Sequence, residues 1–333
     1  MNMNITLIGY GEVGRILAED LRAQGAAVCA WDLKLATEDG HTLRRHAAAH
    51  GVVLAAGPGP AVHGAGLVVS AVTASQAVAV ARDVSAALSQ GAFFLDLNSA
   101  SPGAKIDAAG LVDAAGGRYV EGAVMTSVPP HRLQVPLLLG GPHAAALQPL
   151  LQSLGFAPRV HSDRLGVASA TKMCRSVMIK GLEAMVIESF TTARHYGVED
   201  AVIASLHETF PGIDWEKQAT YFFQRVIEHG RRRSEEMREA AVTVRDAGLE
   251  PFSAAATAER QAHIADLAEL ADRADRAALP DSADLADPTD AGVFGARGAP
   301  GFARSADWRT EADRILLRAA ADRPPTTQPQ EVS

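Results

Sequence analysis

The start of the chain combines an apolar strand, a glycine-rich turn and a helix in the order that a parallel α/β fold requires. Residues 4–8, NITLI, form a short apolar run, and the turn GYGEVG follows at 9–14. A helical pattern then extends from Arg15 to Gln24. Because a strand that ends in such a turn and continues as a helix begins a βαβ unit, this stretch predicts a parallel sheet with flanking helices.

The glycine turn also has the properties of a dinucleotide-binding loop. Gly9 permits the tight turn, Gly11 lets the backbone approach a pyrophosphate, and Gly14 lets the helix pack close to the strand. The N-terminus of that helix offers free N–H groups and a positive dipole end to the phosphates. The second strand, AAVCAW, ends at Asp32, whose carboxylate can bind the ribose hydroxyls of NAD, while Lys34 leaves room for NADP. We predict NAD as the cofactor, with NADP as the alternative, and the cofactor-binding residues Gly9, Gly11, Glu12, Val13, Gly14, Asp32, Ala71, Val72 and Thr73.

Further strand patterns follow at the spacing of βα units. They are GVVLAA at 51–56, GLVVSAV at 66–72, AFFLDLN at 92–98, GRYVEGAV at 117–124 and LQVPLLLGG at 133–141. Helical patterns lie between several of them, notably at 75–90 and 144–154. Binding sites in such sheets lie beyond the carboxyl ends of the strands. Three strand-ending segments are therefore candidates for a site, namely 71–73, 98–102 and 125–127.

The second half of the chain reads as helical from about Arg159 to Ala277. The predicted helices are 166–195, 199–209, 214–229, 232–248 and 253–278, with a further amphipathic helix at 305–323. The predicted fold class is α/β, with an N-terminal Rossmann-type parallel sheet followed by an all-α C-terminal domain built on a long central helix. The predicted domains are an NAD(P)-binding Rossmann domain at 1–163, a helical substrate and dimerisation domain at 164–280, and a partly disordered linker and tail at 281–333.

The long central helix carries a polar stripe within a mostly apolar segment. At about 100° per residue, Lys172, Ser176 and Glu183 fall within roughly 40° of one another, with Arg175 and Lys180 beside them. One interpretation is an internal ion network that joins Lys172 or Lys180 to Glu183, because an unpaired buried charge is costly. The other is a lysine that faces a cleft as an acid–base group. The residues alone leave both open.

Composition excludes several classes of function. The net charge is −8, and no basic stripe interleaved with aromatic residues suggests a nucleic-acid partner. Residues 47–81 lack charged side chains, but their glycines and prolines argue against a membrane span. The first residues show no signal-peptide pattern, and Cys29 and Cys174 read as buried thiols, so we expect a cytoplasmic protein. His46 and His50 form an HxxxH pair on a predicted surface helix with His41. Because no further ligand stands at a fixed spacing, no metal site is predicted.

Three features together resemble the β-hydroxyacid dehydrogenase family, which includes hydroxyisobutyrate and phosphogluconate dehydrogenases. These are the dinucleotide fold, the strand-end motif DLNSASP at 96–102 and the helix KMCRSVMIKGLEA at 172–184. The resemblance covers residues 4–270 and is closest to an uncharacterised phosphogluconate-dehydrogenase-like branch. It implies that Lys172 is the catalytic acid–base group and that Asn98, Ser99 and Ala100 bind a substrate carboxylate.

Departures from the family pattern concern the substrate. Ser176 replaces a usual asparagine, Met125-Thr126-Ser127 replaces a Ser-Gly-Gly loop, and Glu235-Glu236 falls where a Lys-Asp pair is common. The predicted substrate-binding residues are Asn98, Ser99, Ala100, Thr126, Ser127, Arg175 and Ser176.

The predicted function is hydride transfer between the cofactor and the alcohol of a small β-hydroxy acid or related anionic substrate. The alternatives are an imine or enamine reductase and a non-catalytic NAD-binding sensor. The apolar positions at 177–190 predict a homodimer that forms through the helical domain. The basic run at 231–233 is interpreted as a solvated helix face, and the alternative is a role in holding an anionic substrate.

Overall fold

The computed structural model describes residues 3–38, 40–278 and 307–321. Eight strands form one sheet in the order β3-β2-β1-β4-β5-β6-β7-β8. Neighbouring strands run parallel except for the antiparallel pair β6 and β7. The strands are β1 (Asn4–Ile8), β2 (Ala27–Trp31), β3 (Val53–Leu54), β4 (Leu67–Ser70), β5 (Phe93–Asp96), β6 (Arg118–Val124), β7 (Pro136–Gly140) and β8 (Ala157–Ser162).

Helices pack on both faces of this sheet, as the alternating pattern predicted. They are α1 (Glu12–Ala23), α2 (Gly40–His50), α3 (Pro58–Val62), α4 (Ala77–Ser85), α5 (Pro102–Ala114) and α6 (Ala144–Ser153). One hydrophobic cluster joins α1, α2 and α6 to the sheet, and a second joins α3, α4 and α5 to it. All residues of β4 and β5 are buried because the two clusters cover both faces of the central strands. The predicted Rossmann-type domain is therefore confirmed.

The sheet contains a strand that the sequence patterns did not predict. β8 lies at the edge of the sheet and pairs with β7 alone. Its sequence, APRVHS, includes Pro158, Arg159 and His161, and three of its six residues are exposed. A half-solvated edge strand lacks the continuous apolar run of the central strands, so its sequence resembles a polar loop.

The chain after β8 is helical in the part that the structure describes. The helices are α7 (Val167–Tyr196), α8 (Glu199–Thr209), α9 (Trp215–Asp246), α10 (Phe252–Ala278) and α11 (Trp308–Ala321). The prediction of two helices at 214–229 and 232–248 is wrong, because α9 continues without a break through Gly230. A Cβ atom at Gly230 would lie 2.7 Å from the carbonyl oxygen of Gln261. This glycine permits close packing of α9 against α10 and does not end a helix.

The chain forms two compact units whose boundaries lie within helices. Among the described residues, the first unit comprises those up to 177 and residues 235–254, and the second comprises residues 178–234, 255–278 and 307–321. The predicted division at 163/164 separates the strands from the helices that follow, whereas the boundaries of these units lie inside α7, α9 and α10. The predicted linker and tail at 281–333 lies outside the described residues except for 307–321.

The second unit has an aromatic core around Trp308, the first residue of α11. The Trp308 ring is 1% exposed and lies 5.1 Å from the ring of Phe190 and 5.9 Å from that of Phe223, measured between centroids. Its Nε1 donates a hydrogen bond of 2.7 Å to a carboxylate oxygen of Glu216. The helix predicted at 305–323 thus corresponds to α11, which contributes to a core. No helix among the described residues is long and apolar enough to span a membrane.

The interpretation of the basic run at 231–233 as a solvated helix face is wrong for one of its three residues. Arg233 is not on a solvated face, because it is 5% exposed and forms an ion pair with the buried carboxylate of Glu183. The side-chain amide of Gln261 also donates to that carboxylate, over 3.4 Å. Arg231 does lie on the exposed face, where it bridges Asp266 and Glu269. The charge of Glu183 is therefore compensated by Arg233 of α9. The sequence analysis considered only the lysines of α7 as partners of Glu183.

Candidate functional site

The glycine turn lies between β1 and α1, where the strand order reverses. β1 has β2 on one side and β4 on the other, which makes the β1/β4 edge the topological switch point of the sheet. Gly9 has φ +94°, and a Cβ atom there would clash with the carbonyl oxygen of Ala71. A Cβ atom at Gly14 would clash with the carbonyl oxygen of Gly9, whereas one at Gly11 would meet nothing within 4 Å. Two glycines thus allow close packing, and the third leaves open space beside the helix N-terminus.

Asp32 follows β2 and holds the glycine turn in place. One carboxylate oxygen accepts a hydrogen bond of 2.6 Å from the backbone N–H of Tyr10, and the other accepts one of 2.8 Å from that of Lys34. Each oxygen keeps a second lone pair, which a ribose hydroxyl could use. The side chain is half-buried and therefore remains accessible from the carboxyl edge of the sheet.

The other predicted cofactor residues lie at the same edge. Glu12 is exposed and Val13 half-buried in the first turn of α1. Ala71 and Val72 follow β4, and Thr73 precedes a short 3₁₀ helix with its side chain exposed. The Ala71 N–H donates 2.8 Å to the Ile8 carbonyl, which holds the end of β4 beside the end of β1. These residues and the glycine turn together form a concave edge with free backbone N–H groups at the start of α1, which suits a dinucleotide.

A buried ion pair supports the strand-end motif that follows β5. Asp96 and Lys105 are both 1% exposed in their side chains, and Lys105 Nζ lies 2.8 Å from a carboxylate oxygen of Asp96. The hydroxyl of Tyr119 donates 2.7 Å to the other oxygen. Burial first, and then the negative charge of Asp96, raise the pKa of Tyr119 well above its usual value, so the hydroxyl stays a donor. Sequence analysis missed this cluster, although an aspartate inside an apolar strand signals a buried partner.

Asn98 is part of the same supporting structure. It is 3% exposed, and its side-chain oxygen accepts a hydrogen bond of 2.7 Å from the Val72 N–H. Its amide nitrogen donates 2.9 Å to the hydroxyl of Ser70. Asn98 therefore links the ends of β4 and β5 and retains one amide hydrogen for a ligand. The prediction that it binds a substrate carboxylate rests on that single hydrogen.

Ser99 and Lys172 come together at this edge. Lys172 Nζ donates a hydrogen bond of 2.6 Å to the hydroxyl oxygen of Ser99, and both side chains are half-buried. Lys172 lies in the second turn of α7, and Ser99 lies three residues beyond the buried Asp96 of the strand-end motif. These two residues are 73 positions apart in the chain, so the contact joins the two motifs that carry the family resemblance.

A buried carboxylate fixes the start of α7 and thereby the position of Lys172. Glu121 in β6 is fully buried, and its oxygens accept hydrogen bonds of 3.0 Å from the Ala168 N–H and 2.8 Å from the Ser169 hydroxyl. A carboxylate at a helix N-terminus is stabilised by the free N–H groups and by the helix dipole. The sequence signal was the acidic residue within the strand RYVEGAV, which the sequence analysis did not use.

The remaining predicted substrate residues differ in exposure. Ala100 is fully buried, so no part of this residue is exposed to a ligand in the structure. Thr126 is exposed and Ser127 half-buried in the segment that follows β6, whose carboxyl end lies beside that of β5. On α7, Arg175 is exposed and Ser176 is 7% exposed. A residue that sequence analysis missed is Glu239 of α9, whose carboxylate accepts a hydrogen bond of 2.7 Å from the Ser101 N–H.

Comparison with known proteins places this geometry in a family. The NAD binding domain of 6-phosphogluconate dehydrogenase matches residues 4–160, and a domain of unknown function, DUF1932, matches residues 193–264. A conserved hypothetical protein from Sinorhizobium meliloti is 35% identical, with 94% of this chain and 97% of that chain covered and a TM-score of 0.66. A conserved protein of unknown function, described as structurally similar to 3-hydroxyacid dehydrogenases, is 27% identical, with 80% and 98% covered and a TM-score of 0.62. The chain belongs to the β-hydroxyacid dehydrogenase family.

Family members of assigned activity are more distant. The 3-hydroxyisobutyrate dehydrogenase of Mycobacterium tuberculosis, determined with L-serine, is 20% identical, with 86% of this chain and 96% of that chain covered and a TM-score of 0.60. Imine reductases have this fold too, and one from Myxococcus stipitatus in complex with NADP⁺ has a TM-score of 0.50. These likenesses show the fold, and the NAD-binding match supports an NAD(P) cofactor.

Proposed function

We propose that this protein is an NAD(P)-dependent oxidoreductase that acts on the alcohol of a small β-hydroxy acid or related carboxylate. The observation that carries the proposal is the 2.6 Å hydrogen bond between Lys172 Nζ and the Ser99 hydroxyl. It joins an ionisable group on α7 to a strand-end segment beside the glycine turn. Alcohol oxidation requires a proton acceptor, a role that Lys172 would fill. Carboxylate binding requires a hydrogen-bond donor, a role that the Ser99 hydroxyl would fill.

The cofactor would be held by the glycine turn and its neighbours. Gly11 and the N-terminus of α1 would face the pyrophosphate, and Asp32 would face the ribose. Residues 71–73 would face the part of the cofactor that lies toward β4. The nicotinamide supplies the hydride acceptor or donor when it is bound. The open space beside Gly11 and the lone pairs left on Asp32 fit such a ligand.

In the oxidation direction Lys172 would take the proton of the substrate hydroxyl as hydride leaves the carbon. In the reduction direction it would return that proton. Ser99 accepts the hydrogen bond of Lys172, so its own hydroxyl hydrogen is available to an anionic substrate group. The substrate is proposed to contact Ser127 and the exposed Thr126 and Arg175 at the edge of the site. Ser176 is proposed to contact the reacting oxygen of the substrate. Glu121 acts as a positioning residue, because it fixes the first turn of the helix that carries the lysine.

The test compares Lys172→Ala with two other lysine variants in a screen of hydroxy acids with NAD and NADP. We expect Lys172→Ala to lower turnover about a hundredfold or more, the scale of a lost general acid–base group. NADH titration should show nearly unchanged affinity, because the cofactor is held by the glycine turn. Lys180→Ala should have a smaller effect, and the exposed Lys217→Ala on α9 should have none.

Two results would contradict the catalytic assignment. One is a stable and fully active Lys172→Ala protein. The other is a Lys172→Ala protein whose melting temperature falls strongly, since that would identify a structural lysine. Turnover of cyclic imines without turnover of hydroxy acids would favour the imine reductase alternative. NADH binding without turnover of either class would favour a sensor.

A further inference from the structure

Helices α1 and α2 carry a cluster of metal-ligating side chains that the proposed function does not use. Glu19 of α1 and His46 and His50 of α2 each offer one ligand atom, and these atoms all lie within 4.8 Å of one another. The HxxxH spacing places both histidines on one face of α2, where their rings stack with centroids 4.4 Å apart. The fold brings Glu19 next to the two histidines, so the HxxxH pair has a carboxylate neighbour that its sequence spacing did not indicate.

The spacing of these atoms suits a tetrahedral ion. With ligand distances of about 2.0–2.2 Å, two ligands of a tetrahedral zinc ion lie roughly 3.3 Å apart. His46 Nε2 and a carboxylate oxygen of Glu19 are already 2.9 Å apart. His50 is exposed at the end of α2, so its side chain can rotate toward the other two without displacing core residues. Three protein ligands would leave a coordination position for water.

A second layer of contacts holds the two inner ligands. The hydroxyl of Tyr10 lies 2.8 Å from His46 Nδ1. A histidine that ligates through Nε2 needs an acceptor at Nδ1, and the phenol oxygen is suitably placed to be that acceptor. On the other side, Arg132 Nη2 donates 2.7 Å to the second oxygen of Glu19. The first oxygen forms a hydrogen bond with His46 Nε2, which a bound ion would replace with two metal–ligand bonds.

The charges nearby select the class of ion. Arg132 also contacts Asp20, while Arg22 contacts the carbonyl oxygen of His50, so two cations face two carboxylates around the cluster. The positive and negative side chains around the cluster compensate one another, so they would add little to the binding of a hard cation such as Mg²⁺ or Ca²⁺, which is held mainly by negative charge. Two imidazoles and one carboxylate instead favour Zn²⁺, Ni²⁺ or Cu²⁺ over Mg²⁺ or Ca²⁺. We propose that Glu19, His46 and His50 form a binding site for one divalent transition-metal ion, with Zn²⁺ as the probe of choice.

The test titrates Zn²⁺ into the untagged full chain against a chromophoric chelator, with excess Mg²⁺ present. His50→Ala removes the exposed ligand, and Glu19→Gln removes the carboxylate while keeping its hydrogen-bonding shape. His41→Ala is the matched control, since His41 is exposed on the same helix but outside the cluster. We expect one tight equivalent in the unmodified protein and in His41→Ala. Each ligand variant should bind at least about tenfold more weakly, because loss of even a supporting partner costs that much.

The chain has eleven histidines and two cysteines, so the ion could bind elsewhere. X-ray absorption at the zinc edge excludes a cysteine site, since the proposed site gives nitrogen and oxygen neighbours without sulfur. The His50→Ala and His41→Ala variants separate the proposed site from the other histidines. Tyr10→Phe should weaken binding about tenfold through the loss of the outer partner. Unchanged affinity in both His50→Ala and Glu19→Gln, sulfur in the first shell, or no zinc binding by the unmodified protein would overturn the proposal.

Discussion

The buried pair of Asp96 and Lys105 provides a stringent test of how the strand-end motif is stabilised. Replacing Lys105 with methionine keeps the aliphatic part of the side chain but leaves the Asp96 carboxylate without its cation. Removing one partner of a buried pair costs about 3–5 kcal/mol of unfolding free energy. The carboxylate keeps the donor hydroxyl of Tyr119 and the N–H of Asn98, at 2.7 and 2.8 Å. We therefore expect the lower end of that range, about 3 kcal/mol.

This loss should be measurable by thermal melting. One kcal/mol corresponds to roughly 2–4 °C for a domain of 150–250 residues, so Lys105→Met should lower the melting temperature by about 6–12 °C. The double variant Asp96→Asn with Lys105→Met should recover part of the loss, because no uncompensated charge remains. Lys217→Met, at an exposed position, is the control. If Lys105→Met melted within about 2 °C of the unmodified protein, the stabilising role of the pair would be refuted.

Three further predictions concern the cofactor, low pH and assembly. Asp32→Ser should narrow the preference for NAD over NADP in equilibrium titrations, and tighter NADP binding by the unmodified protein would contradict the role of Asp32. A hydrogen bond from Arg309 lowers the pKa of Glu216, and one from Arg194 lowers the pKa of Asp313. Both carboxylates therefore stabilise the packing of α11 when the pH is above the pKa values that they have in the unfolded chain. That stabilisation should be lost as the pH falls through the lowered values, below about pH 4, and the fluorescence of Trp308 should report it against a Trp308→Phe control. Light scattering should show a homodimer, because Met178 and Met185 of α7 are 73% and 63% exposed in the single chain, and a monomer at micromolar concentration would contradict this.

The sequence predicted the elements whose pattern is local. The glycine turn, the apolar strands β4 and β5 and helix α8 were all readable because their periodicity or composition lies within a few consecutive residues. β8 was not predicted, since an edge strand that is half in solvent has no apolar run. The predicted break between the helices 214–229 and 232–248 falls at Gly230, and it is wrong because a glycine that permits close packing looks the same in sequence as one that stops a helix.

The residues that support the candidate site depend on contacts between distant parts of the chain. Lys105 and Tyr119 meet Asp96 only once the sheet and α5 are formed, and Glu239 reaches Ser101 across 138 positions of sequence. Cys174 was expected to be buried, but the structure leaves it exposed, because it lies on the outer face of α7. Pairing across such separations is set by packing, which a single sequence does not display.

The boundaries of the two compact units have a consequence for the order in which the protein is made. The first unit needs residues 235–254, and these are synthesised only after all of residues 178–234, which belong to the second unit. The loop at Ser101 therefore gains its Glu239 acceptor late, when α9 has left the ribosome. A chain that stops after the sheet, at residue 163, would contain every strand but would lack this segment. The first unit, although it begins earlier in the sequence, is completed only after residues 178–234 of the second unit have been synthesised.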